Sequence, residues 1–203
     1  MDLSLPISAV VPTLDGPVLG VLVRAGKPLT GRKVHQMAAT GSESGTRKVL
    51  NRLVGTGLVI ATEVGASIQY SLNRDHLAAG AVIELTELRQ ELIRRMQERI
   101  EGWSVRPLHV SLFDTADGVE LLVVHDDADS SPTWAGQLDS LADRFQVWTG
   151  NHLRLTDLSA HDLQEHLAIG DPSITTWLRA GEQLSGQPFR ALLNTLTSNL
   201  GAR

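Results

Sequence analysis

The sequence predicts a mixed α/β (α+β) fold in two domains joined by a helix. Three patterns predict it. Between residues 12 and 75, three short helical segments precede a pair of strands. From residue 77 to residue 103, apolar residues recur at spacings of three and four. Beyond residue 103, strand and helix patterns alternate. The chain has 203 residues, 42% hydrophobic and 20% charged, which is enough to bury more than one core.

Met1–Asp15, with two prolines, is expected to be irregular or strand-like. Gly16–Ala25, rich in Val and Leu, reads as a first helix ended by Gly26. Thr30 is expected to cap a second helix over Gly31–Ala39, and Ser42 a third. In the third, Val49, Leu50, Leu53 and Val54 make one apolar stripe. Thr46, Arg47, Lys48, Asn51 and Arg52 are read as lying away from it. Gly55 and Gly57 are expected to stop the helix. Leu58–Leu72 reads as two strands meeting near Gly65, with Ile68, Tyr70 and Leu72 alternating with polar residues. The third helix then has an apolar back and a basic, amide-bearing front. Such a front suits the major groove of DNA, where Arg and Lys reach guanine or phosphate and Asn pairs with adenine. An ordinary solvated surface helix has the same pattern.

The segment GKPLTGRKVHQMAATGSESGTRKVLNRLVGTGLV resembles the helix-turn-helix and its exit in bacterial winged-helix regulators. The resemblance covers roughly residues 12–75. It implies a winged helix-turn-helix domain over residues 1–76 that binds double-stranded DNA. Candidates for base-edge contacts are Ser44, Thr46, Arg47 and Asn51; candidates for phosphate are Arg32, Lys33, Lys48 and Arg52. The expected wing tip, Glu63-Val64-Gly65-Ala66-Ser67, has no Lys or Arg to grip phosphate.

Charge is distributed in keeping with this. Residues 1–80 hold eight Lys+Arg against five Asp+Glu, and residues 81–203 hold ten against eighteen. The absence of cysteine excludes disulfides, thiolate metal sites and thiol catalysis. No apolar run approaches a membrane span, and the N-terminus has no signal-peptide core, so a cytoplasmic location is expected. Fifteen Arg against three Lys, with abundant Ala, Leu and Gly, fits a GC-rich bacterial genome.

Leu77, Val82, Leu85, Leu88, Leu92, Met96 and Ile100 predict one helix over residues 77–103, a linker and possible dimer seam. In residues 104–203, strands are expected at Leu108–Phe113, Val119–His125 and His152–Leu155. Helices are expected at Pro132–Trp148, Ser159–Leu167 (with Thr156 or Asp157 near its cap), Pro172–Ala180 and Pro188–Leu200. Gln183–Gly186 is expected to be a turn or short strand.

The pieces HVSLF, DTADGVELLVVHDD, LDSLADRF, HLRLTDL and SITTWLRAGEQLSGQPFRALL resemble the small polymerase-beta-like nucleotidyltransferases. The resemblance implies that fold over residues 104–198. The active family has a Gly-Ser pair after the first strand, whose helix holds a triphosphate. It also has an Asp-x-Asp on the second strand that binds two Mg²⁺ ions. Here Asp114-Thr115 follows Phe113, and Gly118 and Glu120 occupy the Asp-x-Asp positions. Asp114 and Asp117 would at most hold one cation, and the third strand offers His152 and Arg154. A catalytically degenerate domain for dimerisation or ligand sensing is therefore expected, with no catalytic, cofactor or metal residues assigned. The HDLQEH run (His161, Asp162, Glu165, His166) and the acids Asp126, Asp127 and Asp129 beside His125 read as solvated groups rather than metal ligands.

The expected protein is a homodimeric DNA-binding transcriptional regulator with no cofactor, open to a small-molecule or nucleotide effector. The alternatives are a Mg-dependent nucleotidyltransferase with an accessory winged helix, and a non-enzymatic nucleotide- or protein-binding module.

Overall fold

Helix α1 (Asp15–Ala25) ends where Gly26 takes a left-handed conformation, as the glycine after its last apolar residue predicts. A computed structural model of the chain describes residues 1–115, 118–129 and 131–200, without the side chains of residues 129, 199 and 200. The fold is mixed α/β with two sheets. The chain divides into two compact units, Met1–Glu91 and Leu92–Arg203.

In unit 1 the lead departs from expectation. Residues Pro6–Ala9 form a short 3-10 helix. Proline near its start suits the first helical turn, and Ile7 is fully buried, so the lead is anchored in the core. The Thr30 side chain caps α2 (Gly31–Ala38) by accepting from the Lys33 N–H. Ser42 Oγ caps α3 (Glu43–Gly55) by accepting from the Gly45 N–H at 3.0 Å. The helix runs through Gly55, and it is Gly57, at φ 78°, that supplies the left-handed residue beyond its end. Strands β1 (Leu29–Thr30), β2 (Val59–Val64) and β3 (Ser67–Leu72) form an antiparallel sheet in the order β1-β3-β2. The β2–β3 hairpin is in register from Val59↔Leu72 to Val64↔Ser67, so Gly65-Ala66 is a two-residue turn. Val18, Leu22, Val34, Leu50, Leu53 and Tyr70 lie in one core. Helix α4 (Ala79–Thr86) adds Ala79, Val82 and Leu85 to it.

The single helix expected over residues 77–103 is two helices, α4 and α5 (Leu88–Glu101). The Thr86 hydroxyl donates to the Ile83 carbonyl at 2.8 Å. The Glu87 N–H is shared between the Ile83 and Glu84 carbonyls at 3.0 and 3.1 Å. This tightening interrupts the helical ladder, and Thr back-bonding of this kind bends helices. The apolar stripe is also spent differently. Val82 and Leu85 pack on the unit 1 core, and Leu92, Met96 and Ile100 are buried within the chain rather than offered as a seam. Leu77 stands fully exposed.

Unit 2 is built on β4 (His109–Thr115), β5 (Gly118–His125), β6 (Leu153–Ser159) and β7 (Glu182–Gly186), in the order β6-β5-β4-β7. β4 is antiparallel to β5 and β7, whereas β5 and β6 are parallel. Parallel neighbours need a crossover, which α6 (Pro132–Thr149) provides. One sheet face packs Phe113, Leu122 and Val124 against Leu163, Trp177, Phe189 and Leu192. These last four lie on α7 (Ala160–Ala168), α8 (Pro172–Ala180) and α9 (Phe189–Leu200). On the alternating positions Val110, Leu112, Leu121 and Val123 are buried, as are Trp134, Leu138, Leu141 and Phe145 of α6. Ser159, with Asp162, caps α7 in a capping box, whereas Thr156 and Asp157 lie inside β6. β6 runs four residues past the expected strand end at Leu155, which moves the cap downstream.

Candidate functional site

Ser44, Arg47, Lys48 and Asn51 are all exposed on α3. They sit at i, i+3, i+4 and i+7, so they form one stripe along the helix. The opposite side holds Leu50 and Leu53, both buried. Arg32 and Lys33, in the first turn of α2, are exposed as well.

Two of the eight sequence candidates fall elsewhere. Thr46 is buried, with Oγ1 3.3 Å from His35 Nδ1. It precedes Leu50 by four residues and Leu53 by seven, which puts it on the apolar stripe. Its hydroxyl is held inside unit 1, so it does not face the α3 front. Arg52 forms an ion pair with Asp15 at the start of α1. Its guanidinium is drawn back across the helix pair.

A cleft of about 480 Å³ separates α3 from the hairpin. Arg32, Arg47 and Asn51 line it, with Glu43, Ile68 and Tyr70. Glu43 was not among the sequence candidates, yet it stands one turn before Arg47 in the same cleft. An acid there opposes any anion brought to the cleft. On the DNA-binding reading proposed below, Glu43→Gln is expected to raise affinity for duplex DNA by about twofold to fivefold, as loss of one like-charge contact implies. Fluorescence anisotropy at two salt concentrations measures it, and an unchanged or lower affinity would contradict it. The hairpin itself has Glu63 as its one charge and exposes Ile60, Val64 and Ile68.

The nucleotidyltransferase positions do not fit a two-metal site. β4 and β5 pair through to Thr115↔Gly118, leaving a two-residue connection where the family has a phosphate-binding helix. Asp117 lies outside the described residues. The Thr156 hydroxyl donates to Glu120 Oε1 at 2.6 Å, and Arg154 is the register partner of Glu120 on β6. The Glu120 carboxylate is thus engaged by Thr156, and among the described residues its register partner on β6 is a cation rather than an acid.

The other acid–histidine groups are separate local pairs. His161 pairs with Glu165, His166 with Asp171, and Asp162 accepts from Ser159. The Asp126 carboxylate accepts from Ala128, and that of Asp127 from the His161 N–H. The side chain of Asp129 lies outside the description. Hydrogen bonds from the backbone and side chain of Ser159 lower the Asp162 pKa, and bonds led by the Ser173 N–H lower that of Asp171. Among the described residues, no group of three or more His, Asp or Glu is placed to hold a metal ion.

His109 is a buried histidine whose proton location the geometry fixes. Nδ1 is 2.8 Å from the Gln187 carbonyl and Nε2 is 3.0 Å from Ser111 Oγ. A carbonyl only accepts, so Nδ1 carries the hydrogen and the neutral ring accepts from Ser111. Burial lowers the His109 pKa, opposed by the Gln187 bond. The unfolded chain then takes up this proton at a higher pH than the native one. The stability from His109 is complete above the unfolded value of 6.5 and is lost as pH falls below it. His109→Gln should flatten the fall in denaturation midpoint just below that pH. An unaltered pH profile would overturn this.

Comparison with known protein families, with curated proteins and with solved structures returns no match.

Proposed function

We propose that the protein is a DNA-binding transcriptional regulator acting as a homodimer. Unit 1 is read as a winged helix-turn-helix, and unit 2 as a nucleotidyltransferase-like domain given over to dimerisation or ligand sensing. The observation that carries the reading is the exposed stripe Ser44, Arg47, Lys48 and Asn51 on α3, backed by a buried apolar side. Arg and Asn at such positions match guanine and adenine edges in the major groove. The order helix, strand, two helices and a hairpin, with the sheet order β1-β3-β2, supports it. The four-residue connection between α2 and α3, residues 39–42, has the length of a helix-turn-helix turn.

Few cations face the DNA in this reading. With Arg52 paired and the hairpin uncharged by Lys or Arg, Arg32, Lys33 and Lys48 supply the phosphate contacts. Each contact contributes about −0.9 to the slope of log K against log salt, hence about −2 to −3 per protomer. Affinity then depends on two copies engaging half-sites about 34 Å apart. The test is selection of duplex DNA from a random library, followed by salt titration of the enriched site. A slope near zero, or no binding at low salt, would sink the regulator reading. Glu120→Ala is expected to leave DNA binding unchanged. Mg²⁺-dependent nucleotide transfer abolished by Glu120→Ala would favour the enzyme alternative.

A further inference from the structure

Unit 2 carries a second cleft, of about 700 Å³, walled by α5 on one side and α6 on the other. Arg95 and Arg99 line it from α5, and Ser140 and Trp148 from α6. The Arg95 guanidinium lies over the Trp148 ring, 5.9 Å from its centroid. Arg99 Nη2 donates to Ser140 Oγ at 2.7 Å, a neutral partner. Glu98 also lines the cleft, and its carboxylate pairs with Arg94.

The floor is fixed. Gln137 Oε1 accepts from the Ser104 N–H and hydroxyl, both at 2.9 Å, and from the Val105 N–H at 3.2 Å. Its Nε2 donates to the Val105 carbonyl at 3.1 Å. These bonds tie the chain after α5 to α6 and hold the two walls at a set separation. Within that frame Arg95 and Arg99 stand one helical turn apart.

We propose that this cleft binds a small organic phosphate. Two guanidiniums, each a planar fork of N–H donors, match the oxygen geometry of a phosphate, and with Glu98 turned to Arg94 they are the cations the cleft presents to it. Ser140 adds a hydroxyl at the same wall. The volume lies within the range of sites for ligands of drug size, several times what an inorganic phosphate fills, so the phosphate carries an organic portion. The exposed part of Trp148 gives that portion an apolar surface beside the guanidiniums. The proposal gives the ligand-sensing part of the function above a chemical class, and it rests on that reading only for its regulatory meaning.

The test is calorimetric titration of the full chain, without DNA, with adenosine monophosphate, ribose 5-phosphate, adenosine and inorganic phosphate. At least one of the two organic phosphates should bind at millimolar concentration or below and change the tryptophan fluorescence. Adenosine and inorganic phosphate should bind at least tenfold more weakly than that compound. Arg95→Gln combined with Arg99→Gln should weaken binding at least tenfold, with an unchanged melting temperature because both side chains are exposed. Trp148→Phe should abolish the fluorescence change. Equal binding of adenosine and adenosine monophosphate overturns the phosphate assignment. Equal binding of inorganic phosphate overturns the organic portion. No binding by either organic phosphate overturns the site. Because DNA is absent, failure here leaves the DNA-binding reading standing, and failure of DNA binding leaves this result intact.

Discussion

Replacing Arg47 with alanine is expected to lower affinity for the selected duplex by about tenfold to a hundredfold per half-site. That is the roughly 1–3 kcal/mol that one good side-chain contact to a base edge contributes. Arg47 is exposed, mid-stripe on α3, and lines the cleft beside the hairpin. Its removal leaves the apolar side of α3 untouched, so the melting temperature should not move; surface substitutions of this kind stay within about 0.5 kcal/mol. The comparison with Lys48→Ala makes the assignment specific. A residue reading a base edge relaxes sequence preference when removed and leaves the salt slope unchanged. A residue on phosphate weakens all sequences alike and reduces the slope by about one. Arg47→Ala should behave in the first way and Lys48→Ala in the second. Anisotropy against the selected site and a base-substituted site, at four salt concentrations, separates the two. If Arg47→Ala binds both sites as tightly as the native chain, α3 is not the reading helix.

Much of unit 1 is legible because its signals are local. A Ser or Thr before an apolar period is the physical device that starts a helix, and Ser42 and Thr30 both act that way. Thr46 shows where residue type misleads. Threonine is polar, but the angle around the helix is set by position, and four residues before Leu50 is the buried side. The pairing of Arg52 with Asp15 joins two helices 37 residues apart in sequence, and no local pattern encodes it. The break between α4 and α5 was hidden by an apolar period that continues across it. The signal that marks it is Thr86, whose hydroxyl turns back to Ile83.

Unit 2 was legible in its strands and opaque in how they pair. Val119–His125 announces a central strand by its near-continuous apolar run, and it does lie between β4 and β6. The pairing of β7 with β4 brings together residues some 70 positions apart, which a local reading leaves open. His109 illustrates the consequence. In HVSLF it alternates with Val110 and so belongs to the face of Ser111 and Phe113. Its buried hydrogen bond goes to the Gln187 carbonyl, one residue past the Gln183–Gly186 segment that the sequence reads as a turn or short strand. The charged cleft between α5 and α6 was invisible for the same reason. Arg95 and Arg99 read as solvated positions of an amphipathic helix until α6 brings Ser140 and Trp148 against them.

Gly186→Ala is expected to destabilise unit 2 by about 3–5 kcal/mol. Gly186 has φ 75°, a region where a β-carbon is strained whatever the space around it. Here the space is also closed, because an added Cβ would lie 2.3 Å from the Leu108 carbonyl oxygen and 2.6 Å from its carbon. Both are backbone atoms, so no side chain can swing away. Positive φ in a non-glycine costs about 1–3 kcal/mol and overpacking about as much again. The displacement falls on a junction that several bonds share. Gly186 is the register partner of His109. Gln187 donates its N–H to the Leu108 carbonyl at 2.9 Å and accepts from His109 Nδ1. Gln183 Nε2 donates to the Gly186 carbonyl at 2.8 Å. Pushing the chain outward therefore pulls β7 from β4 and leaves His109 without its acceptor, unless the edge yields and relieves part of the overpacking. Gly65→Ala, at φ 59° with open space around it, carries the conformational cost alone. Chemical denaturation of the two variants should place Gly186→Ala well below Gly65→Ala. Equal midpoints would mean that the close approach to Leu108 relaxes freely and that the β4–β7 edge is not held at this glycine.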